Sequence, residues 1–237
     1  MKSTIIIPAR YGSTRYEGKP LVKILGKELV IRVADICKKV VGLKNLYIAT
    51  DNFKIANVAR QNGYKFIMTS KSCLTGTDRV AEASKKIKSN LIINVQGDEP
   101  LIKPTDIKKI IDKKKLFPNH VICGYDYISV SESPSNKNLP KVVVNNKNEL
   151  IYISRSKVPG SKKKISKNKF YKQVCIYAFN KSQLKKFYDL KKKSYIETIE
   201  DIEILRFFDL NIKIKMVKLN SNSVAVDEIK DKKKVEK

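Results

Sequence analysis

The stretch Ile92-Ile-Asn-Val-Gln-Gly-Asp-Glu-Pro100 is an apolar run that stops abruptly in two acids and a proline. Its first part, with Leu91 before it, is short, apolar and β-rich, which predicts a buried strand. Gly97 predicts a turn that would leave Asp98 and its acidic neighbour at the carboxyl end of that strand. Ligands bind at this edge of an open parallel sheet, where a carboxylate is suited to hold a hard cation with its waters. Considered alone, Asp98 is better explained as a cap of the turn.

Another apolar strand is predicted at residues 4–7, and an irregular segment follows it. We call residues 8–20 the phosphate loop, because its glycines would let backbone N–H groups approach phosphates while Arg10, Arg15 and Lys19 supply positive charge. The segment contains neither the P-loop motif nor the dinucleotide-binding motif. An ordinary surface loop is the alternative, but three cations spaced around glycines at the end of the first strand favour a polyphosphate site.

Strand and helix patterns alternate through the first half of the chain, which indicates parallel βαβ units. The predicted elements are a helix at 28–40, a strand at 46–50, a helix at 53–61, a strand at 64–68, a helix at 77–88, a strand at 91–95, a helix at 105–114 and a strand at 121–127. We call residues 69–77 the base loop. Its hydroxyls and free backbone could read the edge of a nucleotide base, with Thr77 as the N-cap of the next helix.

The second half adds antiparallel strands and a second acidic strand end. The predicted elements are a hairpin at 141–145 and 149–154, a strand at 170–179, a helix at 180–188 that starts with an Asn180 and Gln183 capping box, a helix at 198–209 and a strand at 212–219. Residues 129–139 are expected to form a mobile excursion. The acids of the helix at 198–209 should lie mostly on a solvated face. A final apolar run would place Asp227 at a strand end before a terminal helix.

The length and hydrophobic content, 237 residues and 42%, are sufficient for one good-sized core. We expect a single α/β domain over residues 1–237, with a small excursion at about 129–189. Lysine and arginine number 50 against 23 aspartate and glutamate, and the net charge of +27 would by itself suggest nucleic acid as a partner. The lysines are dispersed in short clusters, however, which indicates composition bias, so no nucleic-acid binding is expected.

Cysteine usage and hydropathy place the chain among reduced proteins that do not cross a membrane. The four cysteines lie far apart without metal-ligand spacing, so neither a zinc site nor a disulfide framework is predicted. No apolar stretch approaches the roughly 18 residues that suggest a membrane span. A cytoplasmic location is expected.

Two acids at separate strand ends, a phosphate loop and a base loop are the parts of a nucleotidyltransferase. In such a site Asp98 and Asp227 would hold Mg²⁺ on the nucleotide phosphates. Cations of the phosphate loop would stabilise the departing pyrophosphate. No protein nucleophile is needed, because the acceptor attacks the α-phosphorus directly. The pattern therefore predicts an enzyme that uses Mg²⁺ as its cofactor.

Five motifs occur in a fixed order along the chain. They are Ile6-Ile-Pro-Ala-Arg-Tyr-Gly-Ser-Thr-Arg-Tyr-Glu-Gly-Lys-Pro-Leu21, Gly76-Thr-Asp-Arg79, Asn94-Val-Gln-Gly-Asp-Glu-Pro100, Ser154-Arg-Ser-Lys-Val-Pro159 and Val226-Asp227. In order and spacing this set resembles the 3-deoxy-manno-octulosonate cytidylyltransferases, or CMP-Kdo synthetases, over nearly the whole chain. The resemblance implies a Rossmann-like nucleotidyltransferase fold. It also implies a homodimer that makes CMP-Kdo and pyrophosphate from CTP and Kdo for lipopolysaccharide biosynthesis.

The resemblance also assigns roles to individual residues. The nucleotide contacts it implies are Arg10, Ser13, Arg15, Lys19, Thr77 and Gln96, and the catalytic groups are Arg10, Lys19 and Asp98. The sugar contacts it implies are Arg155 for the carboxylate together with Gln173, Tyr177 and Glu203, and the metal ligands are Asp98 and Asp227. Dimer contacts would come from the excursion at about 129–189.

The sugar half departs from the family pattern at two positions. Gln173 stands where the family usually has histidine, and Ile204 stands where it often has an amide. A missing buried hydrogen-bond partner costs on the order of 1 to 3 kcal/mol, so the expected acceptor is 3-deoxy-manno-octulosonate or a close analogue such as the 8-amino sugar, with another 2-keto acid sugar as the alternative. A sialate-type synthetase, a basic nucleic-acid-binding protein and an inactive relative are the alternatives.

Overall fold

In the computed structural model the chain is described at residues 2–12, 16–163, 166, 169–221, 225–226 and 228–236. The strands are β1 (Ser3–Ala9), β2 (Lys23–Ile24), β3 (Lys27–Glu28), β4 (Leu46–Thr50), β5 (Lys65–Met68), β6 (Leu91–Val95), β7 (Val121–Tyr127), β8 (Lys141–Val144), β9 (Leu150–Ser154), β10 (Tyr171–Asn180) and β11 (Ile214–Lys218). The helices are α1 (Leu29–Val41), α2 (Phe53–Gln61), α3 (Gly76–Ser84), α4 (Pro104–Leu116), α5 (Lys181–Asp189), α6 (Tyr195–Glu200), α7 (Arg206–Asp209) and α8 (Ile229–Val235). None of the helices within these ranges has the length and apolar content that a membrane crossing requires.

One large sheet organises the fold, with strand order β11-β7-β10-β6-β1-β4-β5. The pairs of β1 with β4, β1 with β6, β4 with β5 and β7 with β11 are parallel. Strand β10 lies antiparallel between β6 and β7, and the hairpin of β8 and β9 joins through β10. The predicted α/β fold, a mainly parallel sheet with an inserted antiparallel hairpin, is confirmed.

The core lies on both faces of this sheet, because successive residues of a buried strand point to opposite sides. Along β1, Ile5 and Ile7 pack on one face with α1 and α4, and Ile6 packs on the other with α3 and α5. All three side chains are fully buried. Covering both faces in this way explains why the parallel strands read as continuous apolar runs.

The order in which strands are added to the sheet reverses at β1. The chain runs outward from β1 to β4 and β5, and then returns through α3 to β6 on the other side of β1. The carboxyl ends of β1 and β6 therefore flank the switch point, where open α/β sheets bind ligands. Gly97 allows these two ends to approach closely, since a Cβ there would lie 3.2 Å from the carbonyl oxygen of Pro8.

Three predicted elements are wrong. Residues 225–226, the described part of the final apolar run, do not form the predicted strand. The N-cap of α3 is Thr75, whose hydroxyl accepts the N–H of Asp78, so the helix starts before Thr77 and ends at Ser84. The single helix predicted at 198–209 is broken into α6, a 3-10 turn at Glu203–Leu205 and α7.

Candidate active site

A cavity of about 870 Å³ opens at the carboxyl edge of the sheet, beside the switch point. One group of lining residues comes from the phosphate loop, the base loop and the end of β6. Its charged and polar members are Arg10, Lys19, Thr75, Arg79, Gln96, Asp98 and Glu99. A second group comes from residues 131–140, the ends of β9 and β10, and the turn after α6. Its charged and polar members include Glu132, Asn136, Arg155, Lys172, Gln173, Tyr177, Asp201 and Glu203, together with Lys193 from just before α6.

The phosphate loop delivers a cation to the acidic turn after β6. Lys19 Nζ lies 2.6 Å from Asp98 Oδ2, and both side chains are mostly shielded from solvent. Arg10 also lines the cavity and is exposed. Ser13 and Arg15 lie outside the described residues. Two motifs that are 79 positions apart in sequence are therefore in direct contact.

The chain near the second predicted metal ligand lies against the same turn. The N–H of Val226 donates to the carbonyl oxygen of Asp98 at 2.9 Å. Asp227 itself lies outside the described residues. Within the residues that the structure describes, no cluster of three or more histidine, cysteine, aspartate or glutamate side chains could hold a metal ion.

The base loop approaches the end of β6 at Gly76. A Cβ at this position would lie 2.9 Å from Gln96 Nε2, so only glycine lets the backbone come this close without moving the amide. Thr75 and Gly76 line the cavity. Thr77 does not, because its side chain is buried and its Oγ1 accepts a hydrogen bond from Asn94. The loop therefore presents backbone and the Thr75 and Gly76 surface to the cavity.

Glu203 connects the two groups of lining residues. Its Oε1 accepts the amide of Gln96 at 2.9 Å, and its Oε2 accepts the N–H of Thr77 at 2.8 Å. Burial raises the pKa of the Glu203 carboxyl above its ordinary value. The acid that the resemblance assigns to the sugar thus already holds two groups of the nucleotide half. It also fixes the amide of Gln96 with its nitrogen toward Glu203.

Arg155 reaches the cavity from the end of β9 with its guanidinium anchored on backbone carbonyls. It donates to the carbonyl oxygens of Lys137, Glu200 and Asp201 at 2.9, 2.6 and 2.9 Å. The carboxylate of Glu200 accepts the backbone N–H of Arg155. The prediction that the acids around 200 form a solvated face is therefore wrong for Glu200, as it is for Glu203.

Gln173 and Tyr177 stand together on β10 and line the cavity. Gln173 Nε2 donates to Tyr177 Oη at 3.1 Å. Burial raises the pKa of the Tyr177 phenol well above its ordinary value, so the phenol stays protonated. Ile204 is 1% exposed, packs in the core and does not line the cavity. The expected loss of a sugar contact at Ile204 is therefore wrong, whereas Gln173 is in a position to act on the ligand.

Sequence reasoning missed the part of the lining that comes from residues 131–140. In that segment Glu132 Oε1 accepts a hydrogen bond from Lys172 Nζ at 2.6 Å, and Lys172 is almost fully buried. The segment reads as a polar excursion because its ligand-facing role depends on tertiary contacts with β10. A lysine at the start of an otherwise apolar strand, Lys172 in β10, was the available signal, since a lysine buried there requires an acidic partner.

Comparison with known proteins agrees with this geometry. A cytidylyltransferase family model matches residues 4–214. A 3-deoxy-manno-octulosonate cytidylyltransferase of Escherichia coli is 32% identical over 226 residues, covering 95% of this chain and 91% of the relative. An 8-amino-3,8-dideoxy-manno-octulosonate cytidylyltransferase of Shewanella baltica (strain OS155 / ATCC BAA-1091) is 34% identical over 242 residues, covering 100% and 98%.

Among solved structures, a CMP:2-keto-3-deoxy-manno-octonic acid synthetase complexed with CTP aligns with a TM-score of 0.89 at 33% identity. The alignment covers 100% of this chain and 97% of that protein. Since the likeness extends over sequence and fold alike, this chain is a cytidylyltransferase and belongs to the 3-deoxy-manno-octulosonate cytidylyltransferase family.

Proposed function

We propose that this protein transfers CMP from CTP to the anomeric hydroxyl of 3-deoxy-manno-octulosonate or of its 8-amino analogue, releasing pyrophosphate. The proposal depends on one observation. The phosphate loop, the base loop and the Asp98 turn line the same cavity as Arg155 and the second group of lining residues. The hydroxyl oxygen of the sugar attacks the α-phosphorus, the bond to pyrophosphate breaks, and the hydroxyl proton is released to solvent. The cytoplasm is the proposed location, where reduced thiols such as Cys37 and Cys123 are expected.

The residues around Asp98 support this chemistry electrostatically. Arg10 and Lys19 supply positive charge for the pyrophosphate as charge develops on it. Arg155 offers a guanidinium to the carboxylate of the acceptor, a bidentate geometry that arginine favours. Tyr177 donates a hydrogen bond, and Gln173 sets the direction in which the phenol points. These groups bind and orient the two substrates, so the α-phosphorus and the attacking oxygen are held in one place.

Mg²⁺ is the proposed cofactor, with Asp98 and Asp227 as its protein ligands. Mg²⁺ at nucleotide sites typically takes one or two carboxylates and completes its shell with phosphates and water, so a large acidic cluster is not required. Asp98 Oδ2 lies 2.6 Å from Lys19 Nζ, so this carboxylate faces the phosphate loop, which supports a position beside the nucleotide phosphates. The hydrogen bond from Val226 to the Asp98 carbonyl supports the pairing with Asp227. When bound, the metal would neutralise phosphate charge.

The test is a pyrophosphate-release assay with CTP, a panel of acceptors and a titration of Mg²⁺. We expect turnover with Kdo or 8-amino-Kdo and none with sialic acids. Asp98→Asn should lose most activity, whereas Asp112→Asn, an exposed aspartate of α4, should retain it. Full activity of Asp98→Asn removes its metal-ligand role, and turnover with sialic acid alone rejects the proposed acceptor.

The proposed assembly is a homodimer that uses the excursion and the neighbouring helix α6. Tyr195 and Ile199 lie four residues apart on α6, hence on one face, and are 77% and 64% exposed. Ile151 on β9 is 55% exposed, and β9 is joined to α6 through the carboxylate of Glu200. Light scattering after size exclusion should find a dimer that Ile199→Lys dissociates and that the matched change Phe53→Lys, on α2, does not. A monomeric wild type contradicts the proposed assembly.

A further inference from the structure

We propose that the buried ion pair between Asp51 and Arg79 positions the phosphate loop against the base loop, so that it sets affinity for the triphosphate and not for the base. The inference rests on the proposed function, since it assumes that CTP occupies the cavity. Asp51 directly follows β4 at the carboxyl edge of the sheet, and Arg79 lies in the first turns of α3. Neither is among the residues that motif reasoning places on the nucleotide.

A single carboxylate holds both loops. Asp51 Oδ2 accepts Arg79 Nη2 at 2.8 Å, and the two side chains are 12% and 3% exposed. Asp51 Oδ1 accepts the backbone N–H of Tyr11, in the phosphate loop, at 3.3 Å. Arg79 lies in α3, which begins at Gly76, so the end of the base loop and the arginine belong to the same helix. Asp51 therefore contacts the phosphate loop through Oδ1 and the helix that follows the base loop through Oδ2.

The other side of Arg79 is fixed to the sheet. Its Nη1 donates to Thr69 Oγ1 at 2.5 Å. Thr69 Oγ1 in turn donates to the carbonyl oxygen of Thr50, the last residue of β4, at 3.1 Å. The guanidinium therefore cannot turn toward a ligand without breaking bonds to the ends of β4 and β5. This arrangement favours a positioning role over direct contact, even though Arg79 borders the cavity.

Tyr11 is the point at which the phosphate loop closes on itself. The N–H of Gly18 donates to the carbonyl oxygen of Tyr11 at 2.9 Å, and Gly18 adopts a positive φ of 67°. Lys54 from α2 lies 5.0 Å from the centre of the Tyr11 ring. The two phosphate-directed cations, Arg10 and Lys19, leave the backbone immediately beside this closure. The hydrogen bond to the Tyr11 N–H consequently fixes the backbone of the phosphate loop from which the Arg10 and Lys19 side chains extend.

The proposal makes a prediction that a purely structural ion pair does not. If the pair only stabilised the fold, its loss would weaken all ligands alike or none. If it aligns the phosphate loop, ligands that extend to the β- and γ-phosphates should lose affinity and CMP should not. Asp51→Asn keeps the shape and an oxygen for Tyr11 while removing the charge, so it should retain the fold where Asp51→Ala has a larger effect.

The experiment is titration calorimetry of CTP and of CMP, in buffer with Mg²⁺, against wild type, Asp51→Asn, Asp51→Ala and Arg79→Lys. For Asp51→Ala we expect CTP affinity to fall on the order of ten-fold or more, as for loss of a charge-assisted hydrogen bond, and CMP affinity to stay within about two-fold. The matched control is Asp35→Ala, which removes a carboxylate bound to Lys27 and Tyr64 away from the cavity.

Each outcome separates the inference from the function on which it rests. Equal losses for CTP and CMP, or no loss for either, overturn the positioning role. Failure of the wild type to bind CTP refutes the proposed function instead. Thermal unfolding of every variant identifies any that fail to fold. If Asp51→Ala does not fold, Asp51→Asn replaces it in the comparison. We expect Asp51→Asn to lose an intermediate amount of CTP affinity, and an unchanged CTP affinity contradicts the proposal.

Discussion

Arg206→Leu should destabilise the protein strongly, because Arg206 neutralises two carboxylates in a site closed to water. The Arg206 side chain is fully buried. It donates to both oxygens of Asp78 at 2.8 and 3.1 Å and to both oxygens of Glu197 at 2.6 and 2.7 Å. The guanidinium also lies 3.8 Å from the ring centre of Phe187. Leucine fits the apolar neighbours but leaves both acids without their cation.

The expected magnitude follows from breaking a buried ion pair, which costs about 3–5 kcal/mol. For a chain of this size 1 kcal/mol corresponds to roughly 2–4 °C in Tm, so the expected fall is about 6–20 °C. Because two acids share Arg206, the value should lie at the upper end. The double variant Arg206→Leu with Glu197→Leu should recover part of the loss, since one unpaired charge is removed.

Urea unfolding followed by circular dichroism measures the free energy of unfolding directly. Arg60→Leu is the matched control, since Arg60 is an exposed arginine of α2 whose side chain donates to Asn57 on the same helix. This variant should stay within about 0.5 kcal/mol of wild type. A loss below about 1 kcal/mol for Arg206→Leu, or a double variant less stable than the sum of the single changes, would refute the reasoning.

Three further changes test the joint between the nucleotide and sugar halves. Burial raises the pKa of Glu203, so this carboxylate takes up a proton at a higher pH than an ordinary glutamate, whose pKa is about 4.3. As the pH is lowered, kcat/KM should therefore begin to fall while the pH is still above that value. Glu203→Gln should lack this decrease at acidic pH. Gly76→Ala would push the Gln96 amide off Glu203 and should raise KM for CTP about ten-fold, whereas Gly160→Ala, with open space around it, should leave KM unchanged. Glu132→Gln removes the charge partner of Lys172 and should raise KM for the sugar acid in steady-state assays while KM for CTP stays constant; a change confined to CTP contradicts this assignment.

Local sequence signals were sufficient where the structure depends on local interactions. The Asn180 and Gln183 capping box is formed as predicted, because both hydrogen bonds join residues three positions apart. The strand at Leu91–Val95 has the predicted bounds, because its short apolar run is a local pattern. These features need no knowledge of the rest of the chain.

The segment 198–209 shows why other features could not be predicted. Its apolar spacing suits one continuous helix, yet Asp201 adopts a left-handed conformation with φ of 49° and ends α6. The break lets Glu203 turn to Gln96 and lets Arg206 enter the core beside Asp78. Gln96 and Asp78 lie more than a hundred positions away in sequence, so a tertiary network overrides the local preference for a helix.

The break between α6 and α7 also brings the nucleotide group and the acceptor group of lining residues into one cavity. A continuous helix at 198–209 would present Glu203 and Arg206 on a single regular surface, and the base loop would have no acid to hold its N–H at Thr77. With the break, Glu203 contacts the base loop and the end of β6 while Asp201, two residues earlier, accepts from Arg155. The acceptor and nucleotide groups are thereby fixed relative to each other before any ligand binds. Preorganisation of this kind reduces the entropy lost when two substrates are brought together, which is the main requirement of a direct phosphoryl transfer without a protein nucleophile.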